Sequence, residues 1–268
     1  QTNISYQFGK IGNSRLDFNG GANPSPTYYQ YLPSFQLRNE DLAGAYTSRE
    51  NFQEDGQLDW NRIFDANITN ANAGIENAYV LYEDRSDDKQ LTVNTIFNSD
   101  ITNNITLSGK LEYRRLRSNS FAEVIDLLGG KGYLDINPFA DTENQQQNDI
   151  LNPNRVVVEG DTFRYNYNLN SDMASAFLQA QFKYKKVDFF AAFSVSNTTH
   201  QREGLYQNGR FENNSLGKSK RLDFINFGAK AGATYKITGR HLIDANVAYV
   251  TNAPTIRNSF ANSRENNF

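Results

Sequence analysis

The sequence predicts an all-β fold, and more specifically an antiparallel transmembrane β-barrel segment with long loops and a short loop helix. Three observations lead to this prediction: long segments alternate apolar and polar residues, aromatic residues are frequent, and no apolar run is long. The 268 residues include 19 Phe and 15 Tyr, yet the mean hydropathy is polar at -0.68. Transmembrane barrels combine these properties, because aromatic girdles ring both bilayer interfaces while alternate side chains face a wet interior. Without about 18 consecutive apolar residues, a membrane helix is excluded and a barrel is the remaining spanning structure.

Three predicted hairpins carry the alternation, and each has a short turn that makes its strands antiparallel. Their strands are 91–97 and 105–113 with a turn at 100–103, 174–184 and 187–195 with a turn at 185–186, and 223–235 and 243–249 with a turn at 236–240. In the last hairpin, Phe227, Ala231 and Val247 fall on the apolar side. We expect that side to face lipid and the polar side to face water.

Weaker alternation predicts short strands at 4–8, 16–18 and 79–82, which brings the total to nine. Closed bacterial barrels of one chain have an even number of strands, so either this count is wrong or the chain is incomplete. Because residues 258–268 do not alternate as a closing strand would, we expect an internal fragment, with residues 1–268 forming part of one barrel domain. Tyr113 lies eight residues beyond Ile105, roughly 26 Å along a strand at ~3.3 Å per residue. That spacing fits an apolar band between two aromatic girdles, although Tyr and Phe also favour strands in general.

Long polar connections separate the hairpins, at 117–172 and 200–220. Inside the first, Ser120-Phe121-Ala122-Glu123 has the form of a capping box, and Gly129-Gly130 that of a helix stop, so we expect a short helix between them. The segment 21–76 is also long. Strand parity assigns it to the periplasmic side, unless it contains one more strand.

No residue pattern predicts catalysis, a cofactor or a metal ion, and we expect a protein that is not an enzyme. His200 and His241 lack partners at metal-ligand spacing, and Asp84, Asp87 and Asp88 lack the ordered spacing of a calcium loop and predict a solvated turn. The absence of cysteine excludes disulfides and thiolate metal sites. A net charge of -3 argues against a nucleic-acid partner, which needs a clustered basic surface.

Three stretches carry a resemblance to a known family. They are Asn23-Pro24-Ser25-Pro26-Thr27-Tyr28-Tyr29-Gln30-Tyr31-Leu32-Pro33-Ser34, Leu58-Asp59-Trp60 with Asn67 after it, and Tyr235 to His241 continuing to Asn252-Ala253-Pro254. They resemble TonB-dependent outer-membrane receptors of Bacteroidetes, in the subgroup with a carboxypeptidase-regulatory-like N-terminal domain. The resemblance covers most of the chain, and the proline-tyrosine stretch is its most specific part.

The resemblance implies a barrel of about 22 strands in the bacterial outer membrane, with a plug and a TonB-binding segment that precede it. It implies energised uptake of a scarce nutrient, with partners in outer-membrane lipid, the TonB system acting through the absent plug, and a surface lipoprotein or outer-membrane complex. We expect segments 117–172 and 200–220 to carry part of the ligand site. No individual ligand-binding residue, catalytic residue, cofactor or metal ligand follows from it.

Two other functions fit the same alternation. The barrel could serve as a structural subunit or client in an outer-membrane complex, which co-purification with stoichiometric partners would reveal. It could also be a complete small barrel that acts as a porin or adhesin, which an intact mass near 30.4 kDa would indicate.

Overall fold

A computed structural model describes all residues 1–268, and long antiparallel strands dominate it. In chain order the strands are β1 Thr2–Phe18, β2 Tyr79–Thr102, β3 Ile105–Asp126, β4 Tyr133–Leu134, β5 Val156–Val157, β6 Thr162–Lys183, β7 Val187–Gly204, β8 Gly217–Lys218, β9 Leu222–Lys236 and β10 Leu242–Val250. The α-helices are α1 Pro33–Arg38, α2 Leu42–Glu54, α3 Trp60–Ala73 and α4 Glu143–Gln146, and two 3-10 helices cover Tyr29–Tyr31 and Ile256–Ser259. None of the α-helices is both long and apolar enough to cross a membrane.

The main sheet has the order β1-β2-β3-β6-β7-β9-β10, with β8 paired to β7. All three predicted hairpins are confirmed as neighbouring pairs: β2 with β3, β6 with β7, and β9 with β10. The path has two ends, because β1 and β10 each have a single neighbour. The sheet is therefore open, and the chain does not close a barrel by itself.

The predicted strand count of nine is wrong because short predicted strands merge. The strands expected at 4–8 and 16–18 are one strand, β1, and the strand expected at 79–82 is the start of β2. Ten strands result, of which β4, β5 and β8 have two residues each. The merging changes how many strands precede each connection. Long and short connections of the main sheet therefore alternate regularly along the chain.

The helix expected between Ser120 and Gly129 is also wrong, because β3 continues to Asp126. Glu123 accepts a hydrogen bond from Arg85 Nη1 at 2.9 Å instead of capping a helix, and the Arg85 guanidinium lies 5.3 Å from the Phe121 ring. These cross-strand partners favour the strand over the helix that local propensity suggests. The true connection is 127–161, and its only helix is the short α4.

Segment 21–76 forms helices and contains no further strand. Asp41 and Asp59 cap α2 and α3 by accepting hydrogen bonds from the backbone N–H groups of Gly44 at 2.7 Å and Arg62 at 3.0 Å. Side-chain caps of this kind satisfy N–H groups that a helix leaves unpaired. Gly74 ends α3 with φ of 73°, a left-handed conformation that glycine adopts without a Cβ clash.

The chain divides into two compact units. We call residues 1–11, 86–120 and 166–268 the sheet unit, and residues 12–85 and 121–165 the insertion unit. The insertion unit has a core of buried residues in which Ile63, Tyr79 and Leu128 pack together. Asn67, at 0% exposure, joins these elements, because its amide donates to Tyr79 O at 2.9 Å and Leu127 O at 3.0 Å.

Candidate functional site

In β7 and β9 of the sheet unit, apolar residues on one side are exposed while several residues on the other side are covered, and β10 is exposed on both sides. Phe227 and Val247 are 50% and 70% exposed, and Ala231 between them is exposed too, whereas Asn226 on the opposite parity is only 8% exposed. A sheet in water does the reverse, because burial of its apolar side drives folding. We call this side the outer apolar face. It comprises the alternate residues of 105–113, 174–182, 189–195, 225–235 and 243–249.

Aromatic rings mark the end of the outer apolar face beside the short turns. Phe182 and Phe189 stack across the β6–β7 pair with ring centroids 4.4 Å apart, and Tyr184 lies 6.3 Å from Phe189. On the neighbouring hairpin, Phe97 lies against Gly109, where an added Cβ would come within 2.3 Å of the ring. Glycine at this position leaves room for the ring between adjacent strands.

Charged side chains mark the opposite end of the outer apolar face. Tyr113 Oη donates to Asp172 Oδ1 at 3.0 Å, and the same carboxylate accepts Arg117 Nη2 at 2.9 Å and lies 3.8 Å from Arg115 Nε. Six charged residues lie at this end of the face on neighbouring strands, and we call them the charged row: Lys10, Asp87, Lys89, Arg115, Arg117 and Asp172. Between the charged row and the ring at Phe182, the apolar stretch of β6 begins at Ala174 and spans nine residues.

The opposite side of the sheet unit, the polar face, carries side chains that bond to one another. Asn3 Nδ2 donates to Asn94 Oδ1 at 3.0 Å, and Ser108 Oγ donates to Asn98 Oδ1 at 2.8 Å. Ion pairs join the same face, and their partners are Glu112 with Lys110 and Arg114, and Asp188 with Lys236. A dense polar network of this kind is suited to a hydrated space and not to a dry core.

Residues 251–268 fold back over the polar face. His200 is 4% exposed, and its Nε2 lies 3.1 Å from Pro254 O. Arg202, at 1% exposure, donates from Nε to Ser263 O and from Nη1 to Asn267 Oδ1, each at 2.6 Å. Burial lowers the pKa of Arg202 to about 10. A cavity of about 300 Å³ remains between this segment and the polar face, lined by His200, Ser196, Thr198, Asn226 and Asn252 among others.

The acidic cluster expected in a solvated turn lies within β2, so that expectation is wrong. Asp84 accepts a hydrogen bond from Tyr165 Oη at 2.6 Å and pairs with Arg15 Nε at 2.6 Å, while Asp87 lies 3.9 Å from Lys10 Nζ. These carboxylates therefore bond to neighbouring strands. His241 lies in the exposed turn before β10, where its carbonyl accepts from Ile237 N at 3.0 Å.

Arg164 is the central cation of the insertion unit. It adopts a left-handed φ of 61°, pairs with Asp17 at 3.2 Å and donates to Tyr82 Oη at 3.1 Å. Burial raises the pKa of Asp17 above its ordinary value of 3.8, although the Arg164 charge opposes the shift. Burial also raises the pKa of Tyr133, whose ring packs with the same group of residues. A strained backbone that is held by such contacts is typical of a rigid connection.

The two segments expected to carry ligand contacts are shorter than predicted. In the connection 127–161, the Asp135 carboxylate accepts hydrogen bonds from Arg155 Nη2 at 2.8 Å, Asn148 Nδ2 at 2.7 Å and the Arg164 backbone N–H at 2.8 Å. In the connection 205–221, Ser215 O accepts a bond from Arg202 at 2.8 Å. Both segments are ordered by buried charge-assisted hydrogen bonds, and no single residue of either stands out as a ligand contact.

Sequence reasoning missed a cavity of about 660 Å³ in the insertion unit. It lies within segment 21–76, and its walls include Tyr31, Gln36, Asn51, Phe52 and Arg62. The proline-tyrosine stretch beside it is rigid, because Tyr28 contacts Tyr29 and Tyr31 edge to face at 4.8 and 5.2 Å. The proline-tyrosine stretch was a sequence signal near this cavity. It did not indicate a cavity, because the helices of segment 21–76 were not predicted.

No group of three or more His, Cys, Asp or Glu residues is arranged to hold a metal ion. Comparisons with protein-family models, with curated proteins and with solved structures find no match.

Proposed function

We propose that the chain forms part of a bacterial outer-membrane β-barrel that belongs to a TonB-dependent receptor and takes up a scarce nutrient. The observation that carries the proposal is the outer apolar face, which stays exposed while part of the polar face, around His200 and Asn226, is covered. In water this arrangement leaves large apolar side chains such as Phe193 and Val247, at 55% and 70% exposure, without a partner. In a bilayer those side chains contact lipid, and the polar face lines the barrel interior.

The dimensions of the outer apolar face support this location. A tilted transmembrane β-strand needs about 9–11 residues, and the apolar stretch of β6 has nine between Ala174 and Phe182. The aromatic rings at the short turns correspond to one interfacial girdle, and Tyr113 with the charged row corresponds to the other. In this assignment the short turns face the periplasm, and all long connections, including segment 21–76, face outward.

The two open edges of the sheet support a larger barrel. An exposed strand edge in a bilayer leaves backbone N–H and C=O groups without partners, at a cost of several kcal/mol each. We therefore infer that β1 and β10 pair with strands outside this sequence, in a barrel of about 22 strands as the family resemblance implies. Direct pairing of β1 with β10 would also satisfy these backbone groups, but it would close a barrel with fewer strands.

Transport is supported by the polar face and the family resemblance together. The segment 251–268 occupies the polar face through His200 and Arg202, and the cavity beneath it is lined by small hydroxyl and amide groups. Such groups suit a hydrated pathway. The ligand contacts themselves are expected in the connections 127–161 and 205–221 and on an absent plug.

A tryptophan scan tests the membrane assignment. With Trp60 replaced by Phe, single tryptophans at Ala231, Gly232, Asn246 and Val247 are placed in protein reconstituted into vesicles with brominated acyl chains. We expect strong quenching at positions 231 and 247 and weak quenching at positions 232 and 246. Equal quenching at both parities would refute lipid contact on one face.

Uptake is tested in cells that express the intact gene. Nutrient binding and accumulation are compared between cells with an active TonB system and cells in which TonB is deleted. We expect binding in both strains and accumulation only in the first. Accumulation that is independent of TonB would indicate a passive pore.

A second function, a structural subunit of an outer-membrane complex, is favoured by the helices of segment 21–76. Leu37, Leu42 and Tyr46 are 53%, 76% and 62% exposed there, outside the region that we assign to lipid. Exposed apolar groups of this kind often mark a protein contact. Co-purification of a stoichiometric partner that is lost in a Leu42→Ser, Tyr46→Ser variant would support this function, and a monomeric receptor would exclude it.

A further inference from the structure

A groove of about 450 Å³ lies in the sheet unit where the outer apolar face meets the charged row. Phe8, at 81% exposure, forms its apolar wall. Lys10, Lys89 and Arg117 form its basic wall, and Asn119 and Asn168 add amide groups. Asp87 and Asp88 also line it, so the groove presents an apolar side chain beside three cations and two carboxylates.

Like charges oppose each other across this groove. The hydrogen bonds that join Ser108 to Asn98 and Ser86 to Ser120 fix the register of β2 and β3, and in that register Lys89 is opposite Arg117. Like charges directly opposite on neighbouring strands destabilise a sheet. An anion between them would remove this repulsion.

The carboxylates nearby compensate the cations only in part. Asp172 pairs with Arg117 at 2.9 Å, and Asp87 lies 3.9 Å from Lys10, but no carboxylate lies within ion-pair distance of Lys89. Asp88 also lines the groove, but it is adjacent to Lys89 in β2, so the two side chains lie on opposite faces of the sheet. Lys89 is thus an exposed cation that faces a second cation and has no anionic partner.

We propose that this groove binds the phosphate of a lipid headgroup, with Lys89, Lys10 and Arg117 as its ligands and Phe8 against the first acyl segment. The proposal rests on the membrane location given under the proposed function. Lys and Arg bind phosphate oxygens through charge-assisted hydrogen bonds, and the groove lies at the limit of the outer apolar face, where headgroups are found. A free anion would not need Phe8 or this position.

The test uses the intact protein, with Phe8→Trp as a fluorescent reporter and every other tryptophan, including Trp60, replaced by Phe. The protein is reconstituted into phosphatidylcholine vesicles that contain brominated phosphatidic acid or, in a parallel series, brominated phosphatidylcholine. The ratio of quenching by the two lipids gives their relative affinity for the groove. We expect phosphatidic acid to be favoured by at least about fivefold, the effect of one basic residue near an anionic headgroup.

Lys89→Gln should bring that ratio close to one, whereas Lys89→Arg should retain the preference. Lys185→Gln serves as the matched control, because Lys185 is an exposed lysine at the β6–β7 turn, far along the strands from the groove. It removes the same charge and should leave the ratio unchanged. A loss of preference in Lys185→Gln equal to that in Lys89→Gln would show a general surface-charge effect and overturn the proposal.

Urea unfolding of the same variants gives a second readout. In phosphatidylcholine alone, Lys89→Gln should raise the unfolding midpoint, because it removes a like-charge contact. In vesicles with phosphatidic acid it should lower the midpoint, because it removes a phosphate ligand. A change of the same sign in both lipids would overturn the proposal.

Two further outcomes separate the alternatives. If inorganic phosphate in millimolar excess abolishes the preference for phosphatidic acid, the groove binds a free anion, and the lipid assignment is wrong. If brominated lipid quenches tryptophans of the outer apolar face but shows no headgroup preference at position 8, only this inference fails. If no position is quenched in either lipid, the proposed function itself fails.

Discussion

The β9–β10 hairpin and the insertion unit place apolar side chains in opposite environments. In the hairpin, Phe227 and Val247 are half or more exposed, whereas Asn226, next to Phe227, is 8% exposed. In the insertion unit, Ile63 and Tyr79 are 3% and 4% exposed and form an ordinary core. Both regions contain apolar residues, but only the insertion unit buries a core of them within the chain.

This difference in the exposure of apolar residues indicates that the hairpin and the insertion unit are stabilised in different surroundings. Burial of apolar surface stabilises the insertion unit in water by roughly 25 cal/mol per Å². The hairpin gains less of this term from its own chain, because Phe227 and Val247 keep 50% and 70% of their surface exposed. Under the membrane proposal, lipid supplies the remainder. The predictions below perturb each region in turn, beginning with the largest expected effect.

Asn67→Ala should destabilise the insertion unit by about 3–5 kcal/mol, because it leaves several buried backbone groups of β2 and the 127–128 turn unpaired. Asn67 bonds both the N–H and the C=O of Tyr79 as well as Leu127 O. Urea unfolding followed by the fluorescence of Trp60, the only tryptophan, measures the change. Asn70→Ala removes one exposed bond to Glu76 O and should cost far less. Equal effects would mean that burial of Asn67 does not matter.

Val247→Lys should cost about 2–4 kcal/mol when the protein folds into phosphatidylcholine vesicles, because the charge enters the apolar band. Asn246→Lys places the same charge on the polar face of the same strand, where water is available. Folding yields and unfolding midpoints in vesicles compare the two. Similar losses for both variants would contradict the assignment of opposite faces.

Gly130→Ala should destabilise the insertion unit by about 1–3 kcal/mol through overpacking. A Cβ at this position would lie 1.8 Å from Asn77 Oδ1, which accepts the Lys131 N–H at 3.0 Å. Gly9→Ala is the control, since nothing lies within 4 Å of the added atom. Trp60 fluorescence in urea measures both, and an unchanged midpoint in Gly130→Ala would show that Asn77 can move without cost.

The smallest effect concerns pH. Because the pKa of Asp17 is raised in the folded state, that state retains a proton to higher pH than the unfolded chain does. Stability from this group is therefore present at low pH and falls as pH rises through the interval above the ordinary value of 3.8. Asp17→Asn should remove this part of the slope in the unfolding midpoint between acidic and neutral pH. An identical slope in the variant would disprove a raised pKa.

Much of the sheet could be predicted from local patterns. The turns at 185–186 and 236–240 and the alternation around them identified the strands of two hairpins, because period-two patterning over nine or more residues has few other interpretations. The apolar and polar faces were also predictable, since adjacent strand residues such as Asn226 and Phe227 point to opposite faces. The closed 22-strand barrel remains a proposal, because the strands that would complete it are not in this sequence.

Local patterns failed where distant contacts decide the structure. Ser120 to Leu128 has helix signals, but Arg85 bonds Glu123 from the neighbouring strand and extends β3 instead. The helices of segment 21–76 were missed although Asp41 and Asp59 are good capping residues. No regular apolar stripe follows Asp41, but Ile63, Phe64, Ile68 and Ala71 follow Asp59 at helical spacing and were an available signal for α3. The charged row was missed because its members come from four strands.

The sequence alone determined which residues alternate, where the short turns fall, and that cysteine is absent. Only the tertiary structure decided that the alternating apolar residues remain exposed, that Asn67 joins the insertion unit, and that Lys89 faces Arg117 across a groove. The physical reason is that alternation is a property of neighbouring residues along a strand, whereas exposure and pairing depend on strand register and on chain segments tens of residues away.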